Sequence, residues 1–216
     1  PLPDRFDFHY RHANGSIVVG ETQTAFIKKG LQGVSRDVTE LRRLQDEMSA
    51  LALRDTLTGL ANRRLFNELF EADLARTQRN SLPLAVAFLD LDGLKSVNDT
   101  YGHDAGDVVL RETGRRLLRI VRGADTVARL GGDEFAIAYA PNDVSSYNLV
   151  TRIDAALSEP IWINATTPVF CPASVGVADT TVVGYDSVAL LAAADAAMYE
   201  AKRARRAIRV SEMADT

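Results

Sequence analysis

Cysteine is nearly absent from this 216-residue chain: Cys171 stands alone, so no disulfide framework holds the fold. A lone thiol fits a reducing compartment. Long apolar runs are missing too. The run Leu82–Leu89 has eight residues and contains Pro83, far short of the roughly 20 that a bilayer-spanning helix needs. No signal peptide is visible. Positive charge is not in surplus, since 25 Lys+Arg face 29 Asp+Glu for a net charge of −4. Binding of nucleic acid through bulk charge is thereby excluded. What is present is apolar content of 46% beside 25% charged residues. That balance is ordinary for a folded chain and too apolar for disorder throughout. The chain starts at Pro1 without Met and reads as a piece of something longer, whose remainder has room for a membrane anchor.

Three textures follow one another. In residues 1–34, Phe6, Phe8 and Tyr10 alternate with polar residues, Asn14-Gly15 signals a hairpin, and Ile17 and Val19 resume the alternation. Thr24–Val34 is a second extended stretch, punctuated by Gly30 and Gly33. So short a hairpin region builds no sizeable core alone. A helix follows, with Asp37 as N-cap and Glu40 as its capping-box partner. Leu41, Leu44, Met48 and Leu51 then recur at spacings of 3, 4 and 3. Two heptads fit either an amphipathic helix on its own domain or a parallel coiled coil joining two copies. From Leu53 to Val210 the texture is α/β. Helical stretches at Arg63–Arg79, Asp107–Val121, Ser145–Leu157 and Ser187–Arg206 alternate with strands at Leu84–Leu91, Thr126–Tyr139 and Ala173–Ala178. The middle strand breaks at Gly131-Gly132.

Two places carry carboxylates where chemistry would need them. The apolar run Leu84–Leu91 surfaces with Asp90 and Asp92, which share a parity and so point to one face. Crowded carboxylates repel unless a cation lies between them, and hard oxygen ligands suit Mg²⁺. The bland reading is that these aspartates cap the next turn. The second place is the hairpin Val127–Ile137, in which Gly131-Gly132 is followed at once by Asp133 and Glu134. A glycine pair lets a ligand approach the backbone closely. If that hairpin lies beside the first strand, Asp90 and Asp133 share a metal; otherwise it is a solvated acidic turn.

Arg129-Leu130-Gly131-Gly132-Asp133-Glu134-Phe135 resembles the signature of the GGDEF family, the diguanylate cyclases. Asp55-Thr56-Leu57-Thr58-Gly59-Leu60-Ala61-Asn62-Arg63-Arg64 resembles its opening motif. Asp90-Leu91-Asp92-Gly93-Leu94-Lys95-Ser96-Val97-Asn98-Asp99, with Tyr101-Gly102-His103 and Gly106-Asp107, resembles its central block. Ser174–Ala178 and Ala194–Lys202 resemble its closing motifs. Ordered motifs spread over about residues 53–210 are far more specific than one short match.

The resemblance implies an α/β (α+β) palm-like cyclase fold, with a mixed, mainly antiparallel sheet flanked by helices. It implies condensation of two GTP into cyclic di-GMP with release of two pyrophosphates. Asp90, the Leu91 carbonyl and Asp133 match metal ligands, and Glu134 matches the residue that helps activate the attacking 3′-hydroxyl and touches metal. Asp133 and Glu134 are thus the catalytic pair, with two Mg²⁺ or Mn²⁺ per site. Asn98 and Asp107 match the guanine-reading pair, a sound use of an amide and a carboxylate. Lys95, Lys202 and Arg206 match triphosphate holders, and Gly131 and Gly132 leave the substrate room. Each half-site holds one GTP, so catalysis requires a homodimer, which favours the coiled coil at 36–52.

Arg122 stands seven residues before Arg129, and with Asp125 it matches the family's RxxD site for inhibitory product. The bland reading of this pair is a surface Arg and an Asp capping a turn. Ala13-Asn14-Gly15-Ser16-Ile17 and Gly33-Val34-Ser35-Arg36-Asp37-Val38-Thr39-Glu40 resemble the tail of a PAS sensor domain running into its signalling helix. The expected organisation is therefore a sensor remnant at 1–35, a linker helix at 36–52 and a cyclase domain at 53–212, cytoplasmic in this part and without membrane or nucleic-acid contact. Three positions depart from the family. Gly93 replaces a bulky residue and is expected to loosen the phosphate loop, Arg205 replaces a Gly, and Ala207 an Asn. His103, Trp162, Cys171, Asp195 and Tyr199 read as structural: a loop anchor, two core or strand residues, and two that hold the last helix to the sheet. The alternative function is a module that binds GTP or cyclic di-GMP without turnover. A palm that acts on another nucleotide is disfavoured by Asn98 and Asp107.

Overall fold

A computed structural model describes residues 5–12, 15, 17–27, 30–41, 43, 53–141 and 145–214, without the side chains of 5–7, 25–27, 31–32, 145–148 and 206–214. The chain divides into two compact units, residues 1–52 and 53–216.

The first unit is an antiparallel meander of β1 (Arg5–Arg11), β2 (Ile17–Ile27) and β3 (Gly30–Asp37). The expected hairpin is thus the first half of a three-stranded sheet. Phe8 faces Gly20 across the β1–β2 ladder, and any side chain at Gly20 would collide with its ring. At the end of β3, Asp37 accepts from the Thr39 amide at 2.8 Å and starts a helical turn. Glu40 does not close a capping box; it pairs with Arg43, Nη2 to Oε1 at 2.7 Å. Leu41 is exposed, and the rest of the heptad seam, Leu44, Met48 and Leu51, lies outside the described residues.

The second unit is an antiparallel sheet of order β5-β6-β4-β9, formed by β4 (Ala85–Leu91), β5 (Thr126–Gly131), β6 (Glu134–Tyr139) and β9 (Ala173–Asp179). A small hairpin pairs β7 (Ile161–Trp162) with β8 (Pro168–Val169). The helices are α1 (Arg63–Arg79), α2 (Leu94–Tyr101), α3 (His103–Ile120), α4 (Ser145–Ser158), α5 (Thr180–Val183) and α6 (Ser187–Ala214). The mainly antiparallel sheet agrees with expectation; its parallel element is one bridge, Ala61 to Ala128.

Strand β4 is buried on both faces, which is why it is apolar throughout. Ala85, Ala87, Leu89 and Leu91 join one core with Val97, Val109, Leu117 and Ile153 of α2, α3 and α4. Val86 and Phe88 join the other with Phe66 and Phe70 of α1 and Leu190 and Ala194 of α6. The spacing of four along α1 brings Phe66 and Phe70 together, with stacked rings 5.8 Å apart. Each such buried side chain contributes about 1.5–3 kcal/mol. Asp90 has the parity of Val86 and Phe88, so it surfaces on the α1–α6 face. Helix α6 lies directly on β9 at Gly176, where a Cβ would stand 2.0 Å from the Met198 amide nitrogen.

Trp162 lies in a strand, as expected, and is 57% exposed because alternate residues face opposite ways: Ile161 and its partner Val169 enter the first core, while Trp162 and Pro168 face out. One expectation about the last helix changes. Asp195 and Tyr199 do not hold α6 down, and Tyr199 is 60% exposed. Leu190, Ala194 and Met198, four residues apart, form the buried face instead.

Candidate active site

The site is built at one end of β4. Register places Asp90 opposite Glu134 on β6 and opposite Ser174 on β9. The Leu91 amide donates to the Asp133 carbonyl at 3.1 Å, which draws the turn of the β5–β6 hairpin over the strand end. Gly131 and Gly132 hold φ of +144° and +54°. Those values belong to glycine, so the turn is shaped by its sequence. Arg129 grips the turn from below: Nε and Nη2 donate to the Gly132 carbonyl at 3.0 and 2.7 Å, and Nη1 lies 3.2 Å from the Asp55 carboxylate. Asp55 also accepts from the Thr58 hydroxyl at 2.7 Å. Burial alone would raise the Asp55 carboxyl, but the Thr58 bonds and Arg129 hold it below its usual range.

Each acidic residue at the strand end has a cationic or hydroxyl partner, or stands close to its neighbours. Asp90 is 7% exposed and accepts from Lys202 Nζ of α6 at 2.5 Å. Burial nevertheless pushes its carboxyl above the ordinary value, with Asp133 and Asp92 adding in the same direction against Lys202. Asp92 accepts from the Ser174 hydroxyl at 2.8 Å and stands 3.7 Å from Arg205 Nη1. Parity correctly anticipated that Asp90 and Asp92 share a face. Glu134 meets Arg63 Nη2 at 3.0 Å, and Arg63 Nε also donates to the Leu130 carbonyl. Cys171 is fully buried beneath this end, its thiol 3.6 Å from the Asp92 carbonyl. Burial pushes that thiol up to about 12, and the three aspartates reinforce it, so Cys171 is an inert core residue.

Beside the strand end opens a cleft of about 480 Å³, lined by Lys95, Asn98, His103, Asp107, Arg129, Gly132 and Asp133 among others. Its far wall is α2 and the start of α3. The amide of Asn98 packs against Gly106 so tightly that an added Cβ would meet Asn98 Oδ1 at 1.9 Å. That oxygen is buried without a hydrogen-bond partner. Such unspent capacity costs about 1–3 kcal/mol until a ligand uses it. Asp107 is loosely paired with Arg111 at 3.6 Å. His103 is the exposed first residue of α3, inside helix rather than in the preceding turn. Gly93, at φ +96°, starts α2 in a conformation that glycine adopts without strain.

The structure therefore brings together Asp90, Leu91, Lys95, Asn98, Asp107, Gly131, Gly132, Asp133, Glu134 and Lys202. The side chain of Arg206 lies outside the described residues. Arg122 and Asp125 lie elsewhere, at the turn between α3 and β5. Asp125 Oδ2 accepts from the Arg122 amide at 2.8 Å, so this carboxylate caps the turn, while the Arg122 side chain is exposed. Arg152 of α4 donates to the Ile120 carbonyl beside that turn. The partners Arg63 and Arg205 carried no role in the sequence. Arg63 is 71 residues from Glu134, and only the fold connects them.

A metal fits the donor set. The Asp90 and Asp133 carboxylates and the Leu91 carbonyl are hard oxygens, and Asp90 is crowded by negative charge. Among the described residues no three His, Cys, Asp or Glu side chains converge on one point. Mg²⁺ does not require that, because it commonly takes one or two carboxylates and completes its shell with substrate phosphates and water. Among the described residues no helix is long and apolar enough to cross a membrane.

The family model for the diguanylate cyclase GGDEF domain matches residues 52–207. The bifunctional diguanylate cyclase/cyclic di-GMP phosphodiesterase MucR of Pseudomonas aeruginosa is 41% identical over 167 residues, 76% of this chain and 24% of MucR. The solved GGDEF domain of TpbB from the same organism has a TM-score of 0.67 at 38% identity, covering 69% of this chain and 88% of that one. The coiled coil and GGDEF domain of DgcB from Caulobacter crescentus, solved with cyclic di-GMP, has a TM-score of 0.68 at 27% identity over 77% of this chain and 89% of that one. The chain spans from about a fifth to a half of the length of curated relatives it matches.

Proposed function

This chain belongs to the GGDEF, diguanylate cyclase family, and on that premise we propose that it condenses two GTP into cyclic di-GMP. The observation that carries the reading is the meeting, at one strand end, of a base-sized cleft with unspent hydrogen-bonding capacity and a crowded carboxylate cluster. Asn98 and Asp107 read the guanine edge, whose N1–H and N2–H₂ donate to the carboxylate. Lys95, Lys202 and Arg206 hold the triphosphate. Asp90, Asp133, Glu134 and the Leu91 carbonyl hold one or two divalent cations, which when bound neutralise phosphate charge and favour in-line displacement.

The chemistry is then mainly positioning. The 3′-hydroxyl of one GTP attacks the α-phosphorus of the other. A new O3′–P bond forms, the bond to the β-phosphate oxygen breaks, and pyrophosphate leaves with the bond's electrons. Glu134 takes the hydroxyl proton, and Arg63 holds its carboxylate in place. A second, identical step closes the ring. Because one site holds one GTP, two copies face each other as a homodimer. The linker at 36–52 sets their spacing, and the three-stranded unit before it is the remnant of a PAS-like sensor. The location is cytoplasmic, where GTP is. Arg122 and Asp125 bind product and slow the enzyme.

A second reading, a module that binds nucleotide without turnover, draws support from Asp90 and Glu134 both being engaged by cationic side chains. One experiment separates the two. Incubation with GTP and Mg²⁺ at two protein concentrations, with and without added cyclic di-GMP, is followed by mass. The cyclase reading expects product to rise more than linearly with protein and to fall when cyclic di-GMP is added. Absence of product at every concentration leaves the binding module.

A further inference from the structure

Arg205 stands where the family pattern has a glycine. Helix α6 runs unbroken through this position to Ala214. Lys202 and Arg205 are three residues apart, so they share one helix face. Both side chains reach the same end of the sheet. Lys202 bonds Asp90, while Arg205 stands beside Asp92, the next residue of that parity.

The hold on Arg205 is loose. Its Nη1 is 3.7 Å from Asp92 Oδ2, an ion pair but no hydrogen bond, and that oxygen already accepts from Ser174. Its Nη2 donates at 2.8 Å to Asp154 Oδ1 on α4, a carboxylate 44% exposed. Such an exposed pair is worth little. The guanidinium carries five N–H donors in a planar fork, which matches phosphate oxygens. It is 39% exposed, so a ligand can reach it.

We propose that Arg205 is a substrate-binding residue that holds the pyrophosphate end of a nucleoside triphosphate. On entry of the nucleotide the guanidinium exchanges Asp154 for β- and γ-phosphate oxygens, while Asp92, beside Nη1, keeps it at the strand end. This rests on the reading above that the chain binds GTP, and it adds a phosphate ligand at a position where a glycine would have none. The competing account is a strut that ties α6 to α4.

The test measures binding of two probes to the full 216-residue chain with Mg²⁺: GMP, and a GTP analogue with a methylene group between the α- and β-phosphates. Arg205→Ala is expected to weaken the analogue about tenfold, the worth of one charge-assisted contact. GMP binding should stay within about twofold. Arg205→Lys, which keeps the charge, should lose less, and Asp154→Asn should lose nothing. If Arg205→Ala unfolds, Arg205→Gln carries the same comparison. The proposal falls if the analogue binds Arg205→Ala as tightly as the parent, if both probes weaken together, or if Asp154→Asn matches Arg205→Ala. Failure of the parent chain to bind the analogue overturns the GTP reading itself, and this inference with it.

Discussion

Two networks in the second unit use the same chemistry toward opposite ends. At the strand end, Asp90, Asp92 and Glu134 meet Lys202, Arg205 and Arg63. Between α3 and α4, Glu112 meets Arg115 and Arg116, and Arg116 spreads its remaining donors over the carbonyls of Ala156, Glu159 and Pro160 at 2.7–2.8 Å. The carboxyls respond in opposite directions. Asp90 is pushed up by burial and by two neighbouring aspartates despite its lysine. Glu112 is drawn down to about 2, first by Arg115, then by Arg116. The second network is satisfied as it stands and acts as a strut. With Asp133 counted, the first holds four carboxylates against three cations, which marks a place awaiting a ligand. Counting ion pairs would have missed the difference; the direction of each titration exposes it.

Asp90→Asn gives the largest expected effect and the sharpest contrast. It removes a proposed metal ligand and one of the crowded charges. Turnover of GTP should fall on the order of a thousandfold, since charge neutralisation at the transferring phosphate is worth several kcal/mol. Folding stability in urea should change by less than about 1 kcal/mol, because Asn still accepts from Lys202 and repulsion is relieved. A large stability loss with turnover retained would make the strand end a strut as well, and the comparison would break.

Asn98 tests the other side of the same site. Asn98→Ala should raise the KM for GTP about tenfold to a hundredfold, from loss of hydrogen bonds to the base. The preference for GTP over ATP should shrink with it. Gly106→Ala should imitate this without removing any polar group, because its methyl group would push Asn98 Oδ1 from its place. If both variants keep the parent KM and preference, the unspent oxygen of Asn98 is not a reading group.

What the sequence made legible divides along the same physical line. Helix α1 was placed with its observed bounds, Arg63–Arg79; in the structure Asn62 caps it, and Phe66, Phe70 and Leu74 repeat at the helical period. Strand β4 and the β5–β6 arms were readable from apolar runs broken by a glycine pair. Helix α2 was not, because its eight residues lie between Gly93 and Gly102 and read as loop. The two-residue strands β7 and β8 leave no periodic trace. The end of α6 was placed too early, at Arg206, although residues 203–214 contain neither Gly nor Pro to stop a helix. Within the site, the residue types were visible as motifs. Their partners were not: Lys202 is 112 residues from Asp90, and no local pattern links them. The raised carboxyl of Asp90 is a property of those long-range neighbours, so it emerges only once the strands are paired.

Glu112→Gln is the smallest expected effect and measures the strut directly. With the folded carboxyl held to about 2 against an ordinary 4.5, the ionised form is favoured by folding. Its contribution is therefore complete above 4.5 and is lost as pH falls through that value toward 2. Arg115 is nearly half exposed, so solvent screening trims the contribution to about 1–2 kcal/mol. Urea denaturation at pH 7 should find Glu112→Gln less stable by that amount. The gap between variant and parent should narrow steadily below pH 4.5. GTP turnover should stay within about twofold of the parent, because the Glu112 network donates to backbone carbonyls rather than to the cleft. A pH-independent gap would mean that the lost packing, not the lost charge, sets the cost. Glu112 would then no longer stand as the satisfied counterpart of Asp90.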